Sequence, residues 1–167
     1  TVTITGGTVN GNVFGGYVSN VTESTGSAIN NAVNISGTAT IGASNSSSKI
    51  YGGYTGGTGN ATGNTVNINL SSDGRIWDTV FGGYSKSGNA GAAPVSNTKY
   101  GNTVNISGGT VGPVYGGYVY SGSGNASFNN VIVDGTNSRT GNLYGGYVNT
   151  SSDGGEASYN TVTVNAG

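Results

Sequence analysis

The chain has 167 residues, about the size of one domain, with 34 glycines, 7% charged residues and a formal net charge of −1. It contains no cysteine and no histidine, which excludes thiol and disulfide chemistry, a zinc or haem site built on those residues, and a histidine base. There is no basic run and no stretch of 18 apolar residues, so neither nucleic acid, an anionic membrane surface nor a helical bilayer span is expected.

Valine, isoleucine and aromatic residues are regularly spaced, which separates the chain from a disordered polar tract. Two short words alternate along it. The first opens the chain as Thr1-Val2-Thr3-Ile4 and leads through Thr8-Val9 to the second, Val13-Phe14-Gly15-Gly16-Tyr17. The first word returns as Asn31-Ala32-Val33-Asn34-Ile35, and the second as Ile50-Tyr51-Gly52-Gly53-Tyr54. Next come Asn64-Thr65-Val66-Asn67-Ile68 and Val80-Phe81-Gly82-Gly83-Tyr84. Then Asn102-Thr103-Val104-Asn105-Ile106 leads through Thr110-Val111 to Val114-Tyr115-Gly116-Gly117-Tyr118. The series closes with Asn129-Asn130-Val131-Ile132-Val133, Leu143-Tyr144-Gly145-Gly146-Tyr147 and Asn160-Thr161-Val162-Thr163-Val164. The leading valines are separated by 31, 33, 38, 27 and 31 residues. Because the chain opens and closes inside a repeat, it is expected to be a piece of a longer protein.

Apolar residues two apart predict strands with one buried face. Strands recurring every 27 to 38 residues, with variable polar returns and no helical period, predict a solenoid whose equivalent strands stack in parallel. The expected fold is all-β: a right-handed parallel β-helix of about five coils, a single solenoid over 1–167. A propeller would need four antiparallel strands per blade, and only two strong strands per repeat are visible.

Within the second word, simple alternation puts the first, third and fifth residues on one face. The first position is always aliphatic, so this reading turns the fifth-position tyrosines inward, with the glycine beneath each leaving room for the ring or permitting a bulge. Phe14, Tyr51, Phe81, Tyr115 and Tyr144 then form an outward aromatic row, either a binding stripe for sugar or protein or packing beneath the polar loops. Asn31, Asn64, Asn102, Asn129 and Asn160 hold one position of every coil. They predict an asparagine ladder at corners where left-handed backbone is tolerated.

Little side-chain chemistry remains. The acids are Glu23, Asp73, Asp78, Asp134, Asp153 and Glu156, and the bases are Lys49, Arg75, Lys86, Lys99 and Arg139. The dense cluster is Asp73-Gly74-Arg75-Ile76-Trp77-Asp78, which holds the single tryptophan. Asp73, Arg75, Trp77 and Asp78 are the candidate ligand-binding residues, with a carbohydrate platform as one reading and a solvated turn with a local ion pair as the other. A catalytic carboxylate pair is a weaker reading. Asp153-Gly154-Gly155-Glu156 lacks the ligand set of a calcium loop, so no metal or other cofactor is expected. The outward threonines of the first word suggest an ice-binding face, but its row is broken at Ala32, Asn34, Asn130 and Ile132.

The stretch NTVNISGGTVGPVYGGYVYSGSGNAS (102–127) resembles the repeats of passenger regions in type V autotransporters of Gram-negative bacteria. The resemblance runs over the whole chain. It implies a stalk-like β-helix at the cell surface or secreted, exported through a C-terminal β-barrel that this chain lacks, and serving adhesion. The implied partner is a host or bacterial surface protein or glycan. The rivals are a polysaccharide-binding or polysaccharide-cleaving β-helix and a plain structural spacer. End strands of the repeat type also predict end-to-end self-association. The third coil departs from the pattern: SSDGRIWD replaces the glycine link, the return from Ser85 to Gly101 is long, and Lys99 stands where other coils have Ala28, Ala61, Ala126 and Ala157.

Overall fold

The recurring valines fall into one stacked column. In the computed structural model, which describes residues 1–19, 24–92, 101–149 and 154–165, Val2 pairs with Val33, Val33 with Val66, Val66 with Val104, Val104 with Val131 and Val131 with Val162. The leading strands are Val2–Ile4, Ala32–Gly37, Thr65–Leu70, Thr103–Val111, Asn130–Val133 and Thr161–Val164, all paired in parallel. A second face is built of short link strands: Thr8–Val9, Thr40–Ile41, Arg75–Ile76, the far end of Thr103–Val111, and Ser138–Thr140. Left-handed glycines turn the chain between these two faces at Gly7, Gly37, Gly109 and Gly135. The third face stacks the glycine words as Val13–Val18, Ile50–Thr55, Val80–Ser85, Val114–Val119 and Leu143–Val148.

The fold is thus all-β and parallel, a β-solenoid of about 4 turns, with no helix among the described residues. Each coil sends side chains inward from its three faces. Val66 and Ile68, Ile76, and Val80 from one stretch of chain are each at most 1% exposed, and their equivalents above and below continue the same core. Burying each such side chain stabilises by roughly 1.5–3 kcal/mol. A small satellite of Ala90, Val119 and Ala126 packs where the word meets the return.

Three sequence expectations change in detail. Simple alternation does not run through the glycine word. The first and sixth positions point inward, as at Val80 and Ser85, both 0% exposed, yet the second and fifth both point outward. The reason lies in the glycine pair. The paired register skips the first glycine of each word, and both glycines turn the same way. A Cβ on Gly82 would meet Asn102 Cβ at 3.1 Å and Val104 Cγ2 at 3.2 Å, and one on Gly83 would meet Asn102 Cγ at 2.7 Å. Two successive inward residues form a bulge, which puts the fifth-position tyrosines on the outer surface. Tyr17 is 57% exposed and Tyr147 36%.

The left-handed corner falls one residue before the ladder asparagine, not on it: Asn30 (φ 57°), Gly63 (φ 67°), Phe128 (φ 60°) and Tyr159 (φ 54°) take that conformation. Third, the alanine rung of the third coil belongs to Ala90. It bridges Ala61 and is fully buried, a site with no room for a lysine. Lys99 lies outside the described residues, as do Glu23, Asp153 and the rest of 93–100 in the long return.

Candidate functional site

The two glycines leave space for one thing, the asparagine ladder. Each backbone N–H and Nδ2 of Asn31, Asn64, Asn102 and Asn129 donates to Oδ1 of the next asparagine, ending on Asn160, at 2.9–3.0 Å. The second Nδ2 proton reaches an alanine carbonyl of the preceding coil, as from Asn102 to Ala61 at 2.9 Å. Asn64 and Asn102 are 0% exposed, so these bonds form out of contact with water, where a missing partner costs most. This is architecture rather than a ligand site.

The aromatic stripe has two columns. Phe14, Tyr51, Phe81, Tyr115 and Tyr144 stack at centroid separations of 4.9, 5.1, 5.3 and 4.5 Å. Tyr17, Tyr54, Tyr84, Tyr118 and Tyr147 stack beside them at 5.3, 5.0, 5.3 and 5.3 Å. Within a coil the two rings meet edge to face, as Tyr51 and Tyr54 do at 5.2 Å. Each such pair adds about 0.5–1.5 kcal/mol. Stacking occupies both faces of every interior ring, so the stripe offers ring edges and hydroxyls. A sugar ring, which stacks on an aromatic face, finds no platform there.

Burial resists ionisation of five phenols in this stripe. Burial first, then the neighbouring Tyr54 and Asp78, pushes Tyr51 from 10.0 up to about 12. Tyr54, Tyr84, Tyr115 and Tyr118 are also raised, burial again being the main cause. Phenols raised in the folded state contribute stability that is complete below pH 10.0, the ordinary value, and is lost as pH climbs to about 12. Ionisation of Tyr51, Tyr54, Tyr84, Tyr115 and Tyr118 is therefore expected to accompany loss of the far-ultraviolet β signal in this window. Ionisation of all five near pH 10.0 with the β signal intact would contradict the packing described.

The candidate cluster of the third coil divides in two. Asp73 lies exposed on the turn at 71–74. Arg75 and Ile76 resume the link strand in register with Thr40 and Ile41 below and Thr110 and Val111 above. Ile76 points inward and is 1% exposed, and Trp77 stands on the surface at 39%. The Arg75 guanidinium lies 4.1 Å over the indole, a cation–π contact that holds both side chains in place.

Asp78 turns elsewhere. It pairs with Lys49 of the preceding coil at 3.1 Å, and its other oxygen accepts from the backbone and hydroxyl of Thr79 at 2.7 and 2.8 Å. Burial draws its carboxyl upward, but the bonds from Thr79 and Lys49 outweigh that and hold it below the ordinary value. The local ion pair predicted within the cluster is thus an inter-coil pair instead.

Sequence reasoning missed the other side of this surface. The link register places Thr110 beside Arg75 and Arg139 beside Thr110. Arg75, Trp77, Thr110, Arg139 and Thr140 line an open depression of about 240 Å³. Counting back from each glycine word would have aligned Arg139 with Thr110, but the short link strands carry too weak a pattern to prompt it. Elsewhere, Asn34, Asn67 and Asn105 bond one another at 2.8 Å along the outer face of the leading strands, replacing the flat threonine row an ice-binding face needs. Glu156 is exposed, and its backbone N–H donates to Asn125 Oδ1 at 2.9 Å.

The geometry defines a class, a parallel β-solenoid with internal ladders and one irregular surface on its link face. No family model matches the chain, and neither a curated protein nor a solved structure matches it.

Proposed function

We propose that the chain is a non-enzymatic passenger segment of a Gram-negative autotransporter, displayed at the cell surface or secreted and acting in adhesion. The solenoid of stacked repeats is compatible with such a passenger. The observation that carries adhesion rather than simple spacing is the irregular link face. There Trp77 and Arg75 stand exposed or half-exposed on an otherwise repetitive polar surface, with a depression beside them. Exposed tryptophan and arginine are the side chains most often dominant in binding patches. The enzyme reading loses support because Asp78, committed to Lys49 and Thr79, is held ionised and is poorly suited to donate a proton.

The test is display of the chain on a non-adherent Gram-negative host, fused to a translocating barrel. Cells carrying it are expected to attach to epithelial monolayers better than cells carrying the barrel alone. Trp77→Ala is expected to reduce that attachment severalfold with the melting temperature nearly unchanged. Attachment no better than the barrel alone would leave a spacer. Polysaccharide cleavage that vanishes in both Asp73→Asn and Asp78→Asn would replace adhesion with catalysis.

A further inference from the structure

We infer that the depression on the link face binds an acidic glycan, a linear sugar polymer bearing carboxylate or sulfate groups. The inference rests on the adhesion reading and names its partner. The depression exists because the positions stacked above Trp77 are glycines. Where the third coil carries this indole, the next two carry Gly112 and Gly141, whose backbone N–H groups donate to Ile76 and Val111. Two missing side chains leave a floor of bare backbone beside the indole, within a space of about 240 Å³.

The rim of that space is cationic. Arg75, Thr110 and Arg139 are neighbours in successive link strands, so the two arginines stand two rungs apart, about 9.6 Å along the solenoid axis. No acidic residue lines the depression. Among the described residues the ion pair formed is that of Lys49 with Asp78, and neither arginine has a carboxylate partner. Two uncompensated guanidinium groups thus meet at one place in a chain whose net charge is −1. Each presents a planar fork of N–H donors that matches a carboxylate or sulfate. The Arg75 fork is already positioned by its contact with Trp77, so less side-chain freedom is lost on binding.

The occupant's form is set by the same geometry. Anion sites spaced along a straight axis, with a threonine hydroxyl between them and an indole at one end, suit a linear polymer that carries charge on every sugar or every second one. An acidic peptide would gain most by adding a strand to a sheet edge. That route is closed here, because Arg75–Ile76 is already paired on both sides. Nucleic acid would need a longer cationic track than two arginines.

The test uses the purified chain with four probes: heparin hexasaccharide (sulfated), oligogalacturonate (carboxylated), cellohexaose (neutral) and poly-glutamate. Calorimetric titration is expected to show binding of heparin hexasaccharide or oligogalacturonate, weakened by salt, and none of cellohexaose. The stronger of the two acidic glycans identifies the anionic group. Arg75→Gln and Arg139→Gln are each expected to weaken binding about tenfold, as loss of a charge-assisted hydrogen bond does. Lys86→Gln, on exposed surface outside the depression, should leave binding unchanged. Circular dichroism of each variant verifies the fold, and Arg139→Lys, which keeps the charge and loses the fork, should fall between. No binding of either acidic glycan, equal binding of poly-glutamate, or an equal loss in Lys86→Gln would overturn the inference. Failure here with intact cell attachment sinks only the glycan assignment; acidic-glycan binding without cell attachment sinks only the adhesion reading.

Discussion

Gly117→Val is expected to cost about 3 kcal/mol, the upper part of the range for overpacking a close-packed interior. In a chain of this length that lowers the melting temperature by about 10 °C. A Cβ at Gly117 would collide with Asn129 Nδ2 and the Ala90 carbonyl oxygen. The first is the donor that links Asn129 both to Asn160 and to Ala90. Neither neighbour can retreat, since one is backbone and the other is bonded on both sides. Gly116→Val meets the Gly145 carbonyl and Asn129 Cβ and should behave alike. Gly11 has open space around its Cβ direction, so Gly11→Ala supplies the control. Thermal unfolding followed by circular dichroism decides the matter: equal melting of Gly117→Val and Gly11→Ala would refute the bulge.

Asn102→Leu is expected to be more damaging, by about 5 kcal/mol. The side chain accepts from the backbone and Nδ2 of Asn64, and donates to Ala61 and Asn129. Leucine leaves the Asn64 backbone N–H and one Asn64 Nδ2 proton buried and unpaired, at about 1–3 kcal/mol each, while the Ala61 carbonyl keeps Gly91 N–H and Asn129 Oδ1 keeps the Asn102 backbone N–H. Asn67 also belongs to a ladder, but its surroundings are half-exposed and water can replace its partners. Asn67→Leu should therefore cost about 1 kcal/mol or less. Urea midpoints read this difference directly. Similar midpoints for the two variants would show that the buried ladder contributes no more than the surface one.

The fold was legible because its signal is local and repeated. Val33, Val66 and Val104 announce themselves by alternation within a word and by recurrence between words, and the stacking register follows. The bulge was not legible, because a glycine has no side chain to reveal which way it faces. The inward reading of Tyr17 and its equivalents followed from assuming an unbroken strand. Assigning Lys99 to the alanine rung failed for a related reason: the insertion was placed before the rung, whereas Gly88-Asn89-Ala90 already repeats Gly59-Asn60-Ala61. Of the surface site, Arg75 and Trp77 stood out as breaks in composition. Thr110 and Arg139 join them only through pairing across coils, which a linear reading does not display.

The ladders also give the molecule a mechanical character. Backbone bonds, asparagine amides and stacked rings all run along the solenoid axis, so tension between its ends falls on them one coil at a time instead of shearing a whole sheet. A coil that peels away releases its contour. The 31 residues from Val2 to Val33 would extend to about 100 Å, against the about 4.8 Å they occupy when stacked. Under load the stack lengthens in steps, and each released coil lowers the force on those still folded.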